Sequence, residues 1–129
     1  MKNYIATNIA NKVFDSPCEG MDISRSFAHY VRFQNCVCNG MMARQAELRG
    51  SIWKNVTAPY TRFTMSDVSG ALFEKCDFMN TDWAGVFAKG AIFYRCDLVG
   101  ANFEGADLEG ACYIQCDLTK AQLKRAILC

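Results

Sequence analysis

Proline is nearly absent from this chain, with two residues in 129, and there is a single histidine. Charge of either sign is not in excess: fourteen Lys and Arg stand against thirteen Asp and Glu, a net charge of +1. That balance lacks the dense basic patch of an electrostatic nucleic-acid binder. It equally lacks the strong negative field of an acidic DNA mimic. No apolar run reaches about 18 residues, so no transmembrane helix is expected. Met1 to Gly20 carries no continuous apolar core of the secretory kind. The expected compartment is therefore the cytoplasm, where the eight cysteines stay as thiols. No Gly-x-Gly-x-x-Gly or Gly-x4-Gly-Lys loop is present to cradle phosphate. What is there, 51% apolar and 21% charged residues, suits one folded domain.

The chain repeats every five residues from Met21 onward. The central position of each unit, from Ile23 through Phe33, Trp53, Phe63, Phe73, Trp83 and Phe93 to Leu128, is always apolar or aromatic. The position two before it, from Met21 through Cys76, Ala91 and Ala101 to Ala126, is nearly always small. None of these 44 positions is charged, an outcome of roughly 3 in 100,000 by chance at this charge content. Independently, all nine glycines fall two residues after a central position. A period of five fits neither a strand nor a helix. It requires a chain that turns a corner once per unit, with the central and small positions inward and glycine at corners that need positive φ.

Ala101-Asn102-Phe103-Glu104-Gly105, Ala106-Asp107-Leu108-Glu109-Gly110 and Cys96-Asp97-Leu98-Val99-Gly100 resemble the A(D/N)LXX signature of pentapeptide-repeat proteins. The likeness covers residues 21–129 and is degenerate between Met41 and Tyr60, where Met42, Ile52 and Pro59 depart from it. It implies an all-β fold, a right-handed quadrilateral β-helix with four units per coil, and so about 5.5 coils, roughly 26 Å long at ~4.8 Å per coil. Residues 1–20 lie outside the register and are expected to cap the first coil as a short helix or strand. Ile5, Ile9, Val13 and Phe14 supply its apolar side, and Asp15-Ser16-Pro17 the turn into the 21–129 domain.

In such a rod, residues twenty apart stack. One inner column reads Phe33, Trp53, Phe73, Phe93, Tyr113, whose rings are expected to stack down the core. Another reads Cys36, Val56, Cys76, Cys96, Cys116. Ladder side chains point the same way, which suits neither disulfide bridging nor convergence on a metal, so packing is the reading and neither metal nor cofactor is expected. Outside the aromatic column, Ile52, Leu72, Ile92 and Cys112, with Tyr94 and Ile114 beside them, form an apolar strip where the family pattern places Asp or Asn. An exposed strip of this kind marks an interaction site. On the next side, Asp77, Asp97 and Asp117 stack as carboxylates. They are spaced along the rod and do not converge as calcium ligands must, so solvation or corner hydrogen bonds are expected of them.

Catalysis is not expected: His29 is a lone outward side chain with no nucleophile fixed beside it. The expected function is a non-catalytic protein-binding or scaffold module that uses the outer faces of the solenoid. Its partner is a protein or a second copy, as a homodimer through the apolar strip or the terminal coil with Leu118, Leu123 and Leu128; direct nucleic-acid and membrane binding are not expected. The resemblance also implies two alternatives. One is a gyrase-interacting DNA mimic of the quinolone-resistance type, acting through Asp77, Asp97 and Asp117. This chain departs from it in its shortness, its charge of +1 and its lack of a loop insertion or C-terminal dimerisation helix. The other is a delivered bacterial effector.

Overall fold

The computed structural model describes residues 3–128. Met1, Lys2, Cys129 and the Leu128 side chain, which the terminal coil was expected to expose, lie outside the described residues. The strands are β1 Val13–Phe14, β2 Arg32–Val37, β3 Ile52–Thr57, β4 Leu72–Glu74, β5 Ile92–Tyr94, β6 Asp107–Leu108, β7 Cys112–Ile114 and β8 Ile127–Leu128. β1, β2, β3, β4, β5 and β7 stack in that order as one parallel six-stranded sheet, and β6 pairs with β8. From β2 onward each residue pairs with the one twenty positions later, as in Arg32–Ile52–Leu72–Ile92–Cys112. Three further columns of parallel bridges run through Asp22–Met42–Arg62–Asp82–Asn102, Phe27–Glu47–Asp67–Phe87–Asp107 and Thr57–Asp77–Asp97–Asp117. Four columns per twenty residues make a four-sided β-solenoid.

The five-residue period arises at the corners. Every fifth residue from Gly20 to Arg125 has positive φ, between 50° and 71°. Nine of these are glycine; the others include Asn35, Asn55, Asn80, Tyr30, Tyr60 and Lys75. Valine, isoleucine, threonine and proline never occupy the position, as steric exclusion of β-branched and ring-locked residues from this region requires. Several sides carry a second device. Asp22, Asp67, Asp77, Asp82, Asp97 and Asn102 each accept, through Oδ1, the backbone N–H two residues on, at 2.9–3.0 Å.

Inward positions from Met21 to Leu108 are buried, most at 0–1% exposure. The core is built of aromatic ladders. Phe14, Phe33 and Trp53 stack at 4.8 and 4.2 Å, and Phe73, Phe93 and Tyr113 at 4.7 and 4.9 Å, all within 15° of parallel. Trp53 and Phe73 join the two runs at 5.9 Å. A second ladder, Phe63–Trp83–Phe103, meets the first edge-on, with Phe73 to Trp83 at 5.3 Å and 85°. Each indole N–H is satisfied within the core: Trp53 Nε1 donates to Ser51 Oγ at 2.9 Å and Trp83 Nε1 to Thr81 Oγ1 at 2.6 Å.

Residues 3–20 are themselves wound onto the stack. Val13 and Phe14 pair with Arg32 and Phe33, an offset of nineteen rather than twenty, and Asn3 and Asn8 bridge Asp22 and Phe27 with the same offset. At Cys18 the offset returns to twenty: its N–H donates to the Val37 carbonyl at 2.7 Å, as that of Cys38 does to Thr57. One residue is missing from the repeat between Phe14 and Cys18, which hid this coil from a fixed five-residue frame. Of the two forms expected for the segment, a strand is what Val13–Phe14 adopts, and Ile9 and Phe14 point inward with the core.

Candidate functional site

The six-stranded sheet lays out the strip residue by residue. Ile52, Leu72, Ile92 and Cys112 occupy one pairing column, and Lys54, Glu74, Tyr94 and Ile114 the column two residues on. Alternation along each strand puts the intervening aromatic inward and these side chains outward. Exposure grows along the rod: Ile52 and Leu72 are half-buried, Ile92 is 40% and Ile114 46% exposed, and Cys112 is exposed. Five apolar side chains, Leu72, Ile92, Cys112, Tyr94 and Ile114, therefore form one continuous patch over β4, β5 and β7. Arg95, at the adjoining corner, lies over the Tyr94 ring at 5.2 Å and donates to Gln115 Oε1 at 2.9 Å. The opposite edge is the corner column Gly50, Gly70, Gly90, Gly110. At Gly50 the Tyr30 ring fills the space a side chain would take, but at Gly70 and Gly90 a side chain would meet nothing within 4 Å, so beside Leu72 and Ile92 the patch is bordered by bare backbone.

Asp77, Asp97 and Asp117 do stack in one column. Each spends one carboxylate oxygen on its own corner, bonding the N–H of Met79, Val99 and Thr119 at 3.0 Å. Asp117 also accepts from the Thr119 hydroxyl at 2.6 Å, and that bond, with the backbone bond, holds its carboxyl below the ordinary value. His29 lies 3.9 Å from Glu47. Among the described residues no group of three or more His, Cys, Asp or Glu side chains is arranged to hold a metal ion.

The thiol column is part of the core. Cys76, Cys96 and Cys116 donate to the carbonyls of Trp53, Phe73 and Phe93 at 3.4, 3.2 and 3.2 Å. A bond from Cys116 lowers the Cys96 thiol, but its bond with Cys76 and burial outweigh this and push it up to about 12. These sulfurs are held as S–H donors.

Other exposed apolar side chains escaped the sequence reading. Phe27, Phe87 and Ile127 are 52%, 50% and 57% exposed on another side, but Glu47, Asp67 and Asp107 separate them in the column. Val13, 53% exposed, continues the strip's own column past Arg32. Only the nineteen-residue offset of the first coil reveals that placement.

A family model for the pentapeptide repeat region matches residues 26–103, more than half of the chain. The chain belongs to the pentapeptide-repeat family. No curated protein sequence matches it. Among solved structures this pentapeptide-repeat protein is similar to HetL, a pentapeptide repeat protein involved in heterocyst differentiation regulation from the cyanobacterium Nostoc. The identity is 17% over 97% of this chain and 87% of that one, with a TM-score of 0.41. It is also similar to a pentapeptide repeat protein from the Arabidopsis thaliana thylakoid lumen, at 19% identity over 77% and 66% of the two chains and a TM-score of 0.37. QnrB1, a plasmid-mediated fluoroquinolone resistance protein, is similar at 18% identity over 99% and 88%, with a TM-score of 0.37. Among the described residues no helix is long and apolar enough to cross a membrane.

Proposed function

We propose that this pentapeptide-repeat protein is a non-catalytic binding module that holds a protein, a second copy of itself first of all, through the face carrying Leu72, Ile92, Tyr94, Cys112 and Ile114. The observation behind this reading is the continuity of that apolar patch on the six-stranded sheet. Apolar residues at these outward positions contribute nothing to the core, and water exposure costs about 25 cal/mol for each Å² they present. A partner recovers that cost.

Size limits the contact. Three strands ~4.8 Å apart and about three residues of strand across them give a footprint of roughly 140 Å². A stable complex buries about 800 Å² per partner. The partner therefore also covers the adjoining edge, where Gly70, Gly90 and Gly110 let another backbone approach closely. For the gyrase-directed reading, the column of Asp77, Asp97 and Asp117 offers less: half of its carboxylate oxygens are occupied by the corners they stabilise.

Sedimentation of the wild type against Ile92→Glu tests the proposal. Burying an unpaired carboxylate at the middle of the patch costs several kcal/mol, so association is expected to weaken by at least tenfold. The circular dichroism stays unchanged, because the equivalent outward position on the neighbouring side already holds Asp97. A wild type that stays monomeric at high concentration, or a variant that associates equally well, refutes the reading.

A further inference from the structure

The register break between Phe14 and Cys18 brings three thiols together. In the frame of the first coil, residue 18 would face outward; the missing residue turns Cys18 inward, directly beneath Cys38 in the stack. Cys36, the penultimate residue of β2, and Cys38, the residue just past its end, both face the core, and their sulfurs lie 3.6 Å apart. The Cys18 thiol contacts this pair and also donates to the Ser16 carbonyl at 3.0 Å. All three side chains are at most 5% exposed. Asp15, Ser16 and Pro17, the chain at the break, are exposed beside them.

We propose that Cys36 and Cys38 are a thiol–disulfide exchange site, oxidised to an intramolecular disulfide by a small-molecule disulfide of the glutathione class. The rest of the thiol column supplies the contrast. Cys76, Cys96 and Cys116 have their hydrogens fixed on carbonyls at 3.2–3.4 Å, whereas the matching bond from Cys36 to the Phe14 carbonyl is stretched to 3.8 Å. A hydrogen bond from Cys38 holds the Cys36 thiol below its ordinary value against the opposing effect of burial. The same contact, with burial, pushes Cys38 up. Cys36, with its carbonyl bond stretched and its side chain the less buried of the two, is therefore the nucleophile, and fully buried Cys38 the resolving thiol.

The step balances. The Cys36 thiolate attacks one sulfur of the disulfide, forming a mixed disulfide and releasing one thiolate. Cys38 passes its proton to the released thiolate, attacks the Cys36 sulfur and expels the second thiolate, which takes up the proton that Cys36 lost. Two protein thiols are oxidised and one disulfide is reduced to two thiols. A bridge between residues two apart carries strain, which makes it readily reducible. Small openings of the exposed break give the oxidant access.

Oxidised glutathione added to the folded protein, followed by alkylation in denaturant and tryptic mapping, tests this directly. Residues 33–44 form one tryptic peptide that contains both thiols and no other cysteine. It is expected to be lighter by two hydrogens, to take no alkyl label, and to take two labels once dithiothreitol is added. Exposed Cys112 acts as the internal control by accepting glutathione as a mixed disulfide. Two labels on the peptide while Cys112 is glutathionylated refute the proposal, as does a bridge to Cys18 or a stable mixed disulfide at Cys36. In Cys38→Ser the mixed disulfide at Cys36 is expected to persist; its absence refutes the assignment of Cys38 as resolving thiol, and the wild-type map stands whether or not that variant folds.

Discussion

Ser51 and Ser66 are the same residue type at the same register position, both 0% exposed, yet their replacement by alanine should act with opposite sign. The Ser51 hydroxyl accepts the Trp53 indole N–H at 2.9 Å. Ser51→Ala leaves that donor, itself in a fully buried ring, without a partner, at a cost of about 1–3 kcal/mol. The Ser66 hydroxyl is buried with no hydrogen-bond partner. Ser66→Ala removes an unsatisfied polar group and leaves a residue that the same column already holds at Ala46 and Ala106, one coil away on either side of Ser66 and Val86. The gain is about 1 kcal/mol, the lower end of the desolvation cost of a hydroxyl. At an unfolding entropy of about 2.1 cal/mol/K per residue, 1 kcal/mol in a chain of this size moves Tm by roughly 4 °C. Thermal unfolding followed by circular dichroism should therefore place Ser66→Ala a few degrees above the wild type and Ser51→Ala several degrees below it. Backbone propensity and side-chain volume change identically in both, so they cancel in the comparison. A Ser66→Ala protein that loses as much Tm as Ser51→Ala would refute the reasoning, because hydrogen-bond satisfaction would then not decide the sign.

The corner geometry predicts a graded series at Gly70, where φ is +68° and a Cβ meets nothing within 4 Å. Gly70→Asn should be nearly neutral, Gly70→Ala should cost about 1 kcal/mol, and Gly70→Val about 2 or more, in order of their tolerance of the left-handed region; equal costs in denaturant unfolding would show that the corner is not the constraint. Asp117 should titrate below the ordinary carboxylate value in an NMR pH series, and Thr119→Ala should move it upward by removing the hydroxyl donor. Since the folded value is depressed, the stabilisation from this carboxylate is present above the unfolded pKa and is lost as pH falls through the folded one; an unmoved Asp117 in Thr119→Ala would assign the shift to the backbone bond alone.

The repeat was legible because the solenoid constrains the same positions in every unit. Phe33, Trp53, Phe73, Phe93 and Tyr113 could be assigned to one stack from their spacing, and they form it with Phe14 added at one end. Phe14 itself was not legible. Its ring stacks on Phe33 across an offset of nineteen, and a frame that allows no deletion gives that residue an outward position. The same missing residue explains why Val13 was expected on the apolar side of the cap and Cys18 was assigned no role, although Val13 points outward and extends the strip's column and Cys18 completes a thiol cluster.

The outward residues are a different matter. Their columns follow from the register, so Ile92 could be placed beside Leu72 and Cys112, and Asp97 beside Asp77 and Asp117. Their consequences depend on local partners that the register leaves open. Asp97 turns back onto the Val99 amide; Arg95, one corner earlier, turns along the rod to Gln115 instead of across to the carboxylates. At the inward and corner positions the fold rejects most residue types, and what survives there reports the fold. At the outward positions the fold accepts nearly anything, Asp at one coil and Ile at the equivalent place on another side. An apolar residue that recurs there at successive coils, as Leu72, Ile92 and Cys112 do, is therefore not accounted for by folding, and that surplus is the reason to seek its explanation in a bound surface.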